Sequence, residues 1–389
     1  NNLHRKKNMK RIAILFCLAG ILLSCSEKES LVTIAVTNSS SFDRHYEMVE
    51  IPWDSICLKL MLANNQKIIV LDSADQQIPY QIITEGTAEN LKLIFLADVG
   101  AGDRAIYRVK KGEPQAFAPR VYGRFVPERK DDFAWENNRV AFRVYGPALE
   151  ATGEISNGMD FWVKRTDSPV IDKWYKNDLA GVASYHEDHG EGLDMYKVGR
   201  TLGLGMTAPY VNDTLCLGRN FTEYKILDEG PLRFSFQLSY KPYEAGEKTI
   251  TETRVISLDA YSHLNRIQNI FVTDSTVSEM QVATGIVIAQ DEDEEFFMDT
   301  KNGIMAYKVP EDSINGTIYT GVINPLGFSS IKVSQGHLLG INSYKPGTGY
   351  VYYAGGGWSK FGFDSFKDWI TYLKLYKNRL DEPFKIEIQ

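Results

Sequence analysis

Short runs of alternating apolar and polar residues recur along the chain and constrain its fold more than any other feature. In the first third they follow one another at spacings of roughly ten residues, separated by Asn, Asp and Gly. These runs cover residues 32–36, 46–51, 67–71, 78–83, 91–96 and 105–109. Because successive side chains of a strand point to opposite faces, this pattern is typical of a β-sandwich. We therefore predict a small β-sandwich over residues 31–112.

A second, larger β domain is expected after a connector. Residues 113–130 are richer in Pro and Gly, as connecting segments are. Beyond them longer alternating runs cover residues 139–145, 233–240, 249–258 and 265–272. We predict an all-β protein in which residues 131–389 form the second domain.

One helix is predicted near the end of the chain. Ser365 can accept a hydrogen bond from the first turn, and Asp368 suits the positive end of the helix dipole. An apolar stripe at helical spacing follows, at Phe366, Trp369, Ile370 and Leu373. The stripe predicts packing against the core rather than a ligand site.

The N-terminal residues have the pattern of an export signal. Five basic residues precede an apolar run at residues 12–23 that is too short to span a bilayer comfortably. The following Leu22-Leu23-Ser24-Cys25 resembles a bacterial lipoprotein lipobox. We expect residues 1–24 to be the signal-peptide segment, with Met9 as the true translation start. We also expect a lipid on Cys25 and a polar tether at 25–30. These features would anchor the protein to the cell envelope, facing the periplasm or on the outer-membrane surface; a transmembrane anchor is the alternative.

The charge of the chain limits its partners. The whole sequence has a net charge of −7, and residues 1–24 hold five basic and no acidic residues, so the expected mature chain carries −12. An acidic protein is a poor partner for nucleic acid, and an anionic ligand would need a local basic cluster. An exported protein could form a disulfide between Cys57 and Cys216, but their spacing leaves this open.

The segment 185–200 concentrates ionisable groups. It contains two of the six histidines, His186 and His189, together with four carboxylates, two tyrosines, a lysine and an arginine. Burying so many such groups unpaired would be costly, so an ordinary core strand or helix is not expected here. We interpret the segment as a site; the alternative is a polar loop held by its own salt bridges.

Acid–base chemistry is our hypothesis for this segment. His186 or His189 could move a proton near neutral pH. Tyr196 could do so if a nearby cation lowered its pKa. Lys197 and Arg200 could neutralise a carboxylate of the substrate. These five residues are the predicted catalytic group.

A divalent metal is the alternative for the same segment. His186 and His189 could ligate it together with Glu187, Asp188 or Asp194. The spacing lacks the third histidine or the His-Glu-x-x-His order of zinc motifs. We therefore expect no required cofactor, and we expect Asp194 to bind substrate.

Tryptophans beside polar residues suggest contacts with sugars. Trp135 next to Glu136 and Arg139 would suit a sugar ring stacked on indole, with its hydroxyls hydrogen-bonded at the edge. Trp162 and Trp174 lie beside cations and could add further platforms. For each of these tryptophans, packing in the core is the alternative.

Three of these stretches resemble a known family. Residues 127–147, Lys173-Trp174-Tyr175 and residues 185–194 are similar to the signature of domain of unknown function 4861. The resemblance covers most of the expected mature chain. It implies a lipoprotein or secreted protein of polysaccharide-degrading bacteria, encoded among enzymes for uronic-acid glycans and similar to an ulvan oligosaccharide dehydratase. At 201–206 the chain is less glycine-rich than this family leads us to expect, so substrate contacts there would differ.

The long strands and late helix also resemble the β-supersandwich of aldose epimerases, the galactose-mutarotase-like fold, and of several lyases. This likeness is one of fold and cannot by itself settle function. We expect an enzyme that acts on uronic-acid-containing oligosaccharides by β-elimination, as a lyase or dehydratase forming a 4,5-unsaturated uronate. The alternatives are a non-catalytic glycan-binding lipoprotein and a glycoside hydrolase with a carboxylate pair such as Glu187 and Asp194.

Overall fold

A computed structural model describes residues 30–63, 66–87, 89–274, 277–289 and 294–389. The predicted signal peptide and Cys25 lie outside these residues. The described chain is all-β, as predicted: a small N-terminal sandwich is followed by a β-supersandwich and a C-terminal helix.

Two sheets form the N-terminal sandwich. One contains β1 (Leu31–Thr37), β3 (Ile68–Leu71), β4 (Gln77–Ile78), β7 (Arg104–Lys111) and β27 (Lys385–Ile388), in the spatial order β27-β1-β7-β3-β4. The other contains β2 (Arg44–Pro52), β5 (Tyr80–Ile83) and β6 (Lys92–Val99), in the order β2-β6-β5. Their inner faces share a core that includes Ile34, Val49 and Phe95. Helix α1 (Trp53–Leu60), which the alternation did not predict, adds Ile56 and Leu60 to that core.

The chain returns to this sandwich at its end. Strand β27 pairs antiparallel with β1, so that Ile388 lies opposite Ile34. The predicted second domain, 131–389, includes β27, although this strand belongs to a sheet of the N-terminal sandwich. A four-residue strand after a helix has no distinctive sequence pattern that would show this.

Three further sheets build the supersandwich. The first contains β8 (Val121–Val126), β9 (Asp132–Asn137), β10 (Val140–Val144), β11 (Asp160–Lys164) and β12 (Gly192–Asp194), in the order β12-β11-β10-β9-β8. The second contains β13 (Leu204–Val211), β14 (Thr214–Leu215), β20 (Met280–Val287), β24 (Ser330–Ser334) and β25 (His337–Tyr344), in the order β14-β13-β20-β25-β24. Strand β8 begins inside the predicted connector.

The third sheet has nine strands within the described residues. They are β15 (Phe221–Glu229), β16 (Arg233–Tyr240), β17 (Tyr243–Ala245), β18 (Lys248–Asp259), β19 (Leu264–Thr273), β21 (Glu295–Asp299), β22 (Ile304–Lys308), β23 (Ile318–Ile323) and β26 (Tyr350–Trp358). Their order is β15-β16-β18-β19-β26-β23-β22-β21, with β17 paired to β18. Side chains from all three sheets form one continuous core, among them Phe142, Phe161, Phe236, Ile267 and Val282.

Helices cover the outside of the supersandwich. They are α2 (Pro147–Glu150), α3 (Ile171–Leu179) and α4 (Phe366–Asp381), with a 3-10 turn at Pro127–Arg129. Helix α4 is the predicted one: the Ser365 side chain accepts from the Asp368 N–H, and Trp369 and Leu373 are buried. Within the described ranges, none of the helices combines the length and apolarity needed to cross a bilayer.

Candidate active site

The outer face of the β8–β12 sheet carries buried charged residues. Pairing of β10 with β11 places Arg143 opposite Asp160, and pairing of β11 with β12 places Trp162 opposite Asp194. Alternate residues of a strand share a face, so Asp160 and Trp162 lie on the same side of the sheet. Helix α3 and the loop after it cover this face, which explains how charged residues within strands become buried.

Arg143 is at the centre of this face and contacts three carboxylates. Its Nη2 atom lies 2.5 Å from Oδ2 of Asp160 and 2.8 Å from Oδ2 of Asp194, and its Nη1 lies 3.8 Å from Oδ2 of Asp132. Nη1 also donates to the Tyr185 hydroxyl at 3.2 Å. All four charged side chains are buried. One guanidinium cannot fully compensate three buried carboxylates, so the cluster favours keeping a proton.

The pKa values of two of these carboxyls reflect that imbalance. Burial raises the pKa of Asp132 to about 6, although the charges of Arg143 and Arg129 oppose the shift. Burial, together with the negative charge of Asp160, raises the pKa of Asp194 well above its usual range. Carboxyls that hold a proton closer to neutral pH are suited to acid–base chemistry.

A cavity of about 580 Å³ opens above the cluster. Arg129, Arg143, Tyr145 and Arg200 supply its basic and phenolic lining, with residues 153–156 along one wall. Arg200 is exposed and makes no ion pair with any residue that the structure describes. Arg129 donates from Nε to the Tyr185 hydroxyl at 3.3 Å, which connects it to Arg143. We call this cavity the arginine pocket.

Tyr145 is a residue of the arginine pocket that the sequence did not single out. Its ring lies under the Arg143 guanidinium, 5.2 Å from ring centroid to Cζ. Burial and the nearby carboxylates raise the pKa of its phenol well above the usual range, so the hydroxyl keeps its proton. A protonated phenol at the wall of a cavity can donate to a ligand oxygen.

His186 lies beside the cluster and is oriented by Asp194. Its Nδ1 is 3.0 Å from the Asp194 carbonyl oxygen and 3.6 Å from Oδ2 of the same residue. Its ring packs 4.5 Å from that of Tyr185, and 58% of the side chain is exposed. A proton donated by Nδ1 to the carbonyl leaves Nε2 of the neutral ring free to accept one.

The other predicted catalytic residues lie elsewhere. His189 is 52% exposed, and its Nε2 lies 3.1 Å from the Ser184 carbonyl oxygen. Lys197 is exposed and does not line the arginine pocket. The predicted proton transfer by Tyr196 is wrong: its side chain is in the core, its hydroxyl donates to the Gly203 carbonyl, and burial raises its pKa instead of lowering it.

The predicted tryptophan platforms are also wrong for Trp135 and Trp162. Trp135 has no exposed surface, and its Nε1 donates to Oδ1 of Asn265 at 2.7 Å. Trp162 is fully buried and packs against the rings of Trp174 and Tyr185. Trp174 is 7% exposed, because α3 lays it on the same face. Large indoles on a covered sheet face fill the core, which was the alternative for each of them.

Glu136 and Arg139 do not form a sugar site with Trp135. Glu136 is buried, with Lys164 Nζ 2.5 Å from Oε2, and accepts from the backbone N–H groups at the start of α3. Its predicted contact with substrate is therefore wrong. Trp135 and Glu136 are adjacent in β9 and therefore point to opposite faces of the sheet. Arg139 lies in the turn between β9 and β10 and pairs with Asp167 at 3.2 Å.

The described ranges contain no cluster of three His, Cys, Asp or Glu side chains that could hold a metal ion. His186 and His189 face different backbone carbonyls, those of Asp194 and Ser184. Cys57 and Cys216 are both free thiols, so the pairing left open by the sequence does not occur.

Comparison with known sequences identifies a family and one similar protein. The profile of the family described as "Domain of unknown function (DUF4861)" matches residues 36–386. The chain is 31% identical over 407 residues to "Uncharacterized protein P7" of Formosa agariphila, covering 98% of this chain and 100% of that protein.

Solved structures share the fold. A protein in glycosyl hydrolase family 38 from Enterococcus faecalis superposes with a TM-score of 0.55 at 9% identity, over 93% of this chain and 48% of that one. An alpha-mannosidase from Enterococcus faecalis V583 gives 0.51 at 10% identity, over 93% and 46%. This chain spans about half the length of these two proteins. At such low identity the likeness concerns architecture alone.

Proposed function

The chain belongs to the DUF4861 family, and we propose that it is a carbohydrate-active enzyme that cleaves uronic-acid-containing oligosaccharides by β-elimination. The reaction removes the proton at C5, forms the C4–C5 double bond and breaks the bond from C4 to its oxygen, which leaves with a proton. It requires a cation at the sugar carboxylate, a base and an acid. We also propose that Cys25 anchors the enzyme to the cell envelope.

The position of Asp194 between Arg143 and His186 carries the proposal. Its side chain lies 2.8 Å from the Arg143 guanidinium, and its backbone carbonyl lies 3.0 Å from His186 Nδ1. An imidazole held by such contacts presents Nε2 as a base, in the way that a carboxylate orients histidine in other acid–base sites. His186 is therefore assigned to the removal of the C5 proton.

The cations of the arginine pocket are assigned to the uronate carboxylate. Arg143 already shares its charge with Asp160 and Asp194. Arg200 has no carboxylate partner among the described residues and lines the same pocket. A guanidinium that lacks an internal partner is the better receptor for an incoming carboxylate, which it can bind with two parallel hydrogen bonds.

Tyr145 is assigned to hydrogen bonding of the leaving oxygen. Its raised pKa keeps the phenol protonated at neutral pH, and it lines the pocket beside Arg143. The phenol keeps its own proton while it donates this hydrogen bond, and the leaving oxygen takes up a proton from solvent in the open pocket as the C4–O bond breaks.

The structural relatives are described in carbohydrate terms, as a glycosyl hydrolase family 38 protein and an alpha-mannosidase, which supports action on sugars but not elimination in particular. Two observations weigh against the alternative functions. Hydrolysis by Glu187 and Asp194 has less support, because the Glu187 side chain is 75% exposed whereas Asp194 is buried against Arg143. Binding of a glycan on tryptophan platforms also has less support, because Trp135 and Trp162 are buried in the core.

Incubation with glucuronate-containing oligosaccharides tests the proposal. We expect ultraviolet absorbance from a 4,5-unsaturated uronate, lost in Arg200→Ala and retained in Lys345→Ala, which removes an exposed cation outside the arginine pocket. New reducing ends without this absorbance would identify a hydrolase. Binding without any product would identify a glycan-binding protein.

A further inference from the structure

A second large cavity lies between the N-terminal sandwich and the nine-stranded sheet. Its volume is about 700 Å³, and it shares no lining residue with the arginine pocket. Strand β2 forms one wall, α4 forms another through Tyr372, Tyr376 and Arg379, and the outer faces of β16, β18, β19 and β26 form the floor. We call it the interdomain cleft.

The floor of the cleft is polar, whereas a sheet face that packs against another layer is expected to be apolar. Strand pairing places Ser235 opposite Ser257, Ser257 opposite Arg266, and Arg266 opposite Tyr353. Directly opposed residues of antiparallel strands point to the same face. A row of two hydroxyls, one guanidinium and one phenol therefore crosses four strands beneath the cleft.

Arg266 differs from the other charged groups around the cleft. Arg233 pairs with Asp259 and Glu50, and Lys92 pairs with Glu50 and Glu85. Asp228 accepts from backbone N–H groups and from the Ser235 hydroxyl. Arg379 lies 3.5 Å from Glu47.

By contrast, Arg266 is half-buried at the centre of the floor without a carboxylate partner in the described part of the chain. The phenol of Tyr353 lies beside it and cannot neutralise its charge. An unpaired guanidinium in a concave site is a receptor for an anion.

Two stacked tyrosines form an aromatic surface of the cleft. Tyr46 of the N-terminal sandwich lies parallel to Tyr261 of the β18–β19 turn, with ring centroids 4.1 Å apart. Both residues have left-handed backbone conformations, with φ of 49° and 65°. Such conformations are unfavourable for tyrosine and persist where other contacts hold them, often at functional sites. Tyr46 is still 49% exposed, so its free face is available to a ligand.

We propose that the interdomain cleft is a second ligand site, which binds an anionic saccharide with its charged group on Arg266 and its ring against Tyr46. Hydroxyls of the sugar would meet the Ser257 side chain of the floor. The site is separate from the arginine pocket, so this inference does not depend on the proposed reaction. A carboxylate and a sulfate ester offer the same chemistry to a guanidinium, so both kinds of sugar are candidates.

Saturation-transfer NMR titrations with glucuronate, galactose 6-sulfate and glucose test the site without any turnover. The parent for these measurements is Arg200→Ala, in which the arginine pocket is already weakened. We expect Arg266→Gln in this parent to weaken the binding of at least one of the two anionic sugars by about tenfold, the typical worth of a charge-assisted hydrogen bond. Glucose binding should not depend on Arg266.

Tyr46 provides an independent measurement. Tyr46→Ala should weaken all three sugars, and Tyr46→Phe should bind them as the parent does, because stacking needs the ring and not the hydroxyl. Lys345→Gln is the matched control for loss of one positive charge, and melting temperatures show that each variant is folded. If Arg266→Gln binds both anions within twofold of the parent, the cleft is not an anion site and the proposal is overturned.

Discussion

The carboxylate of Asp194 lies 2.8 Å from the guanidinium of Arg143, with both side chains buried on the outer face of the β8–β12 sheet. Arg143 lines the arginine pocket, and the Asp194 carboxyl, whose pKa is raised, is buried against it. His186 contacts Asp194 from the solvent side through Nδ1, which leaves Nε2 of a neutral ring free to accept a proton.

His186→Ala should reduce turnover by about two to four orders of magnitude, the usual loss when a positioned proton carrier is removed. His189→Ala should have a much smaller effect, because its ring faces the Ser184 carbonyl. Steady-state rates and melting temperatures of the two variants separate the roles. Equal losses in both variants, with lowered melting temperatures, would mean that the loop is only structural.

Arg200→Ala should weaken the binding of a glucuronate oligosaccharide far more than that of its carboxyl-reduced form. Arg200 lines the pocket and has no carboxylate partner among the described residues, so its charge is available to the substrate. Isothermal titration calorimetry with both ligands measures the difference. Equal losses for the two ligands would assign Arg200 a structural role.

Asp132→Asn should stabilise the protein relative to wild type at high pH. The pKa of Asp132 rises from 3.8 to about 6 on folding, so the fold favours its neutral form. This contribution is fully present below pH 3.8 and is lost as the pH rises through 6. Between these two pH values, the free energy of unfolding of the wild type should therefore fall by about 3 kcal/mol relative to that of the variant. Urea unfolding at pH 4 and pH 8 measures it; a pH-independent difference would contradict the assignment.

Trp135→Ala should lower the free energy of unfolding by about 3–5 kcal/mol, because it removes a buried indole and leaves a cavity. At a temperature where the variant stays folded, its affinity for oligosaccharide should equal that of wild type. Denaturant unfolding and calorimetry are the measurements. A selective loss of sugar binding in a stable variant would restore the platform interpretation.

Cys25→Ser should release the protein from the membrane fraction without changing its catalysis. The lipobox resemblance places lipidation at this cysteine, and the first strand begins only at Leu31. Acyl chains contribute roughly 0.8 kcal/mol per buried methylene, so their loss removes the anchor. Fractionation after a high-salt wash decides: a variant that still pellets has another means of attachment.

Much of the fold could be predicted because alternation and capping are local signals. The Ser365 cap and the Trp369–Leu373 stripe gave α4, and the runs of residues 31–112 correspond to strands. The run at 78–83 divides between two strands, and α1 was missed because only Ile56 and Leu60 mark its buried side. The return of β27 to β1 depends on long-range pairing, which periodicity does not encode.

The candidate site was only partly predictable for a related reason. Of the residues that the composition of segment 185–200 singled out, Arg200 lines the arginine pocket, Asp194 pairs with Arg143 of its lining, and His186 contacts Asp194. Arg143 and Tyr145 were missed because they read as ordinary strand residues. The one local signal is the charge of Arg143 inside the apolar run of β10. That charge points to a site only once it is known that α3 covers this face of the sheet.

The rate at which Asp194→Asn forms a 4,5-unsaturated uronate tests the central claim most directly. Asparagine keeps the shape of the side chain but can neither ionise beside Arg143 nor exchange a proton. We predict a folded variant, judged by circular dichroism and melting temperature, whose rate is at least about 100-fold below wild type. A folded Asp194→Asn variant that forms the product within twofold of the wild-type rate would contradict the account.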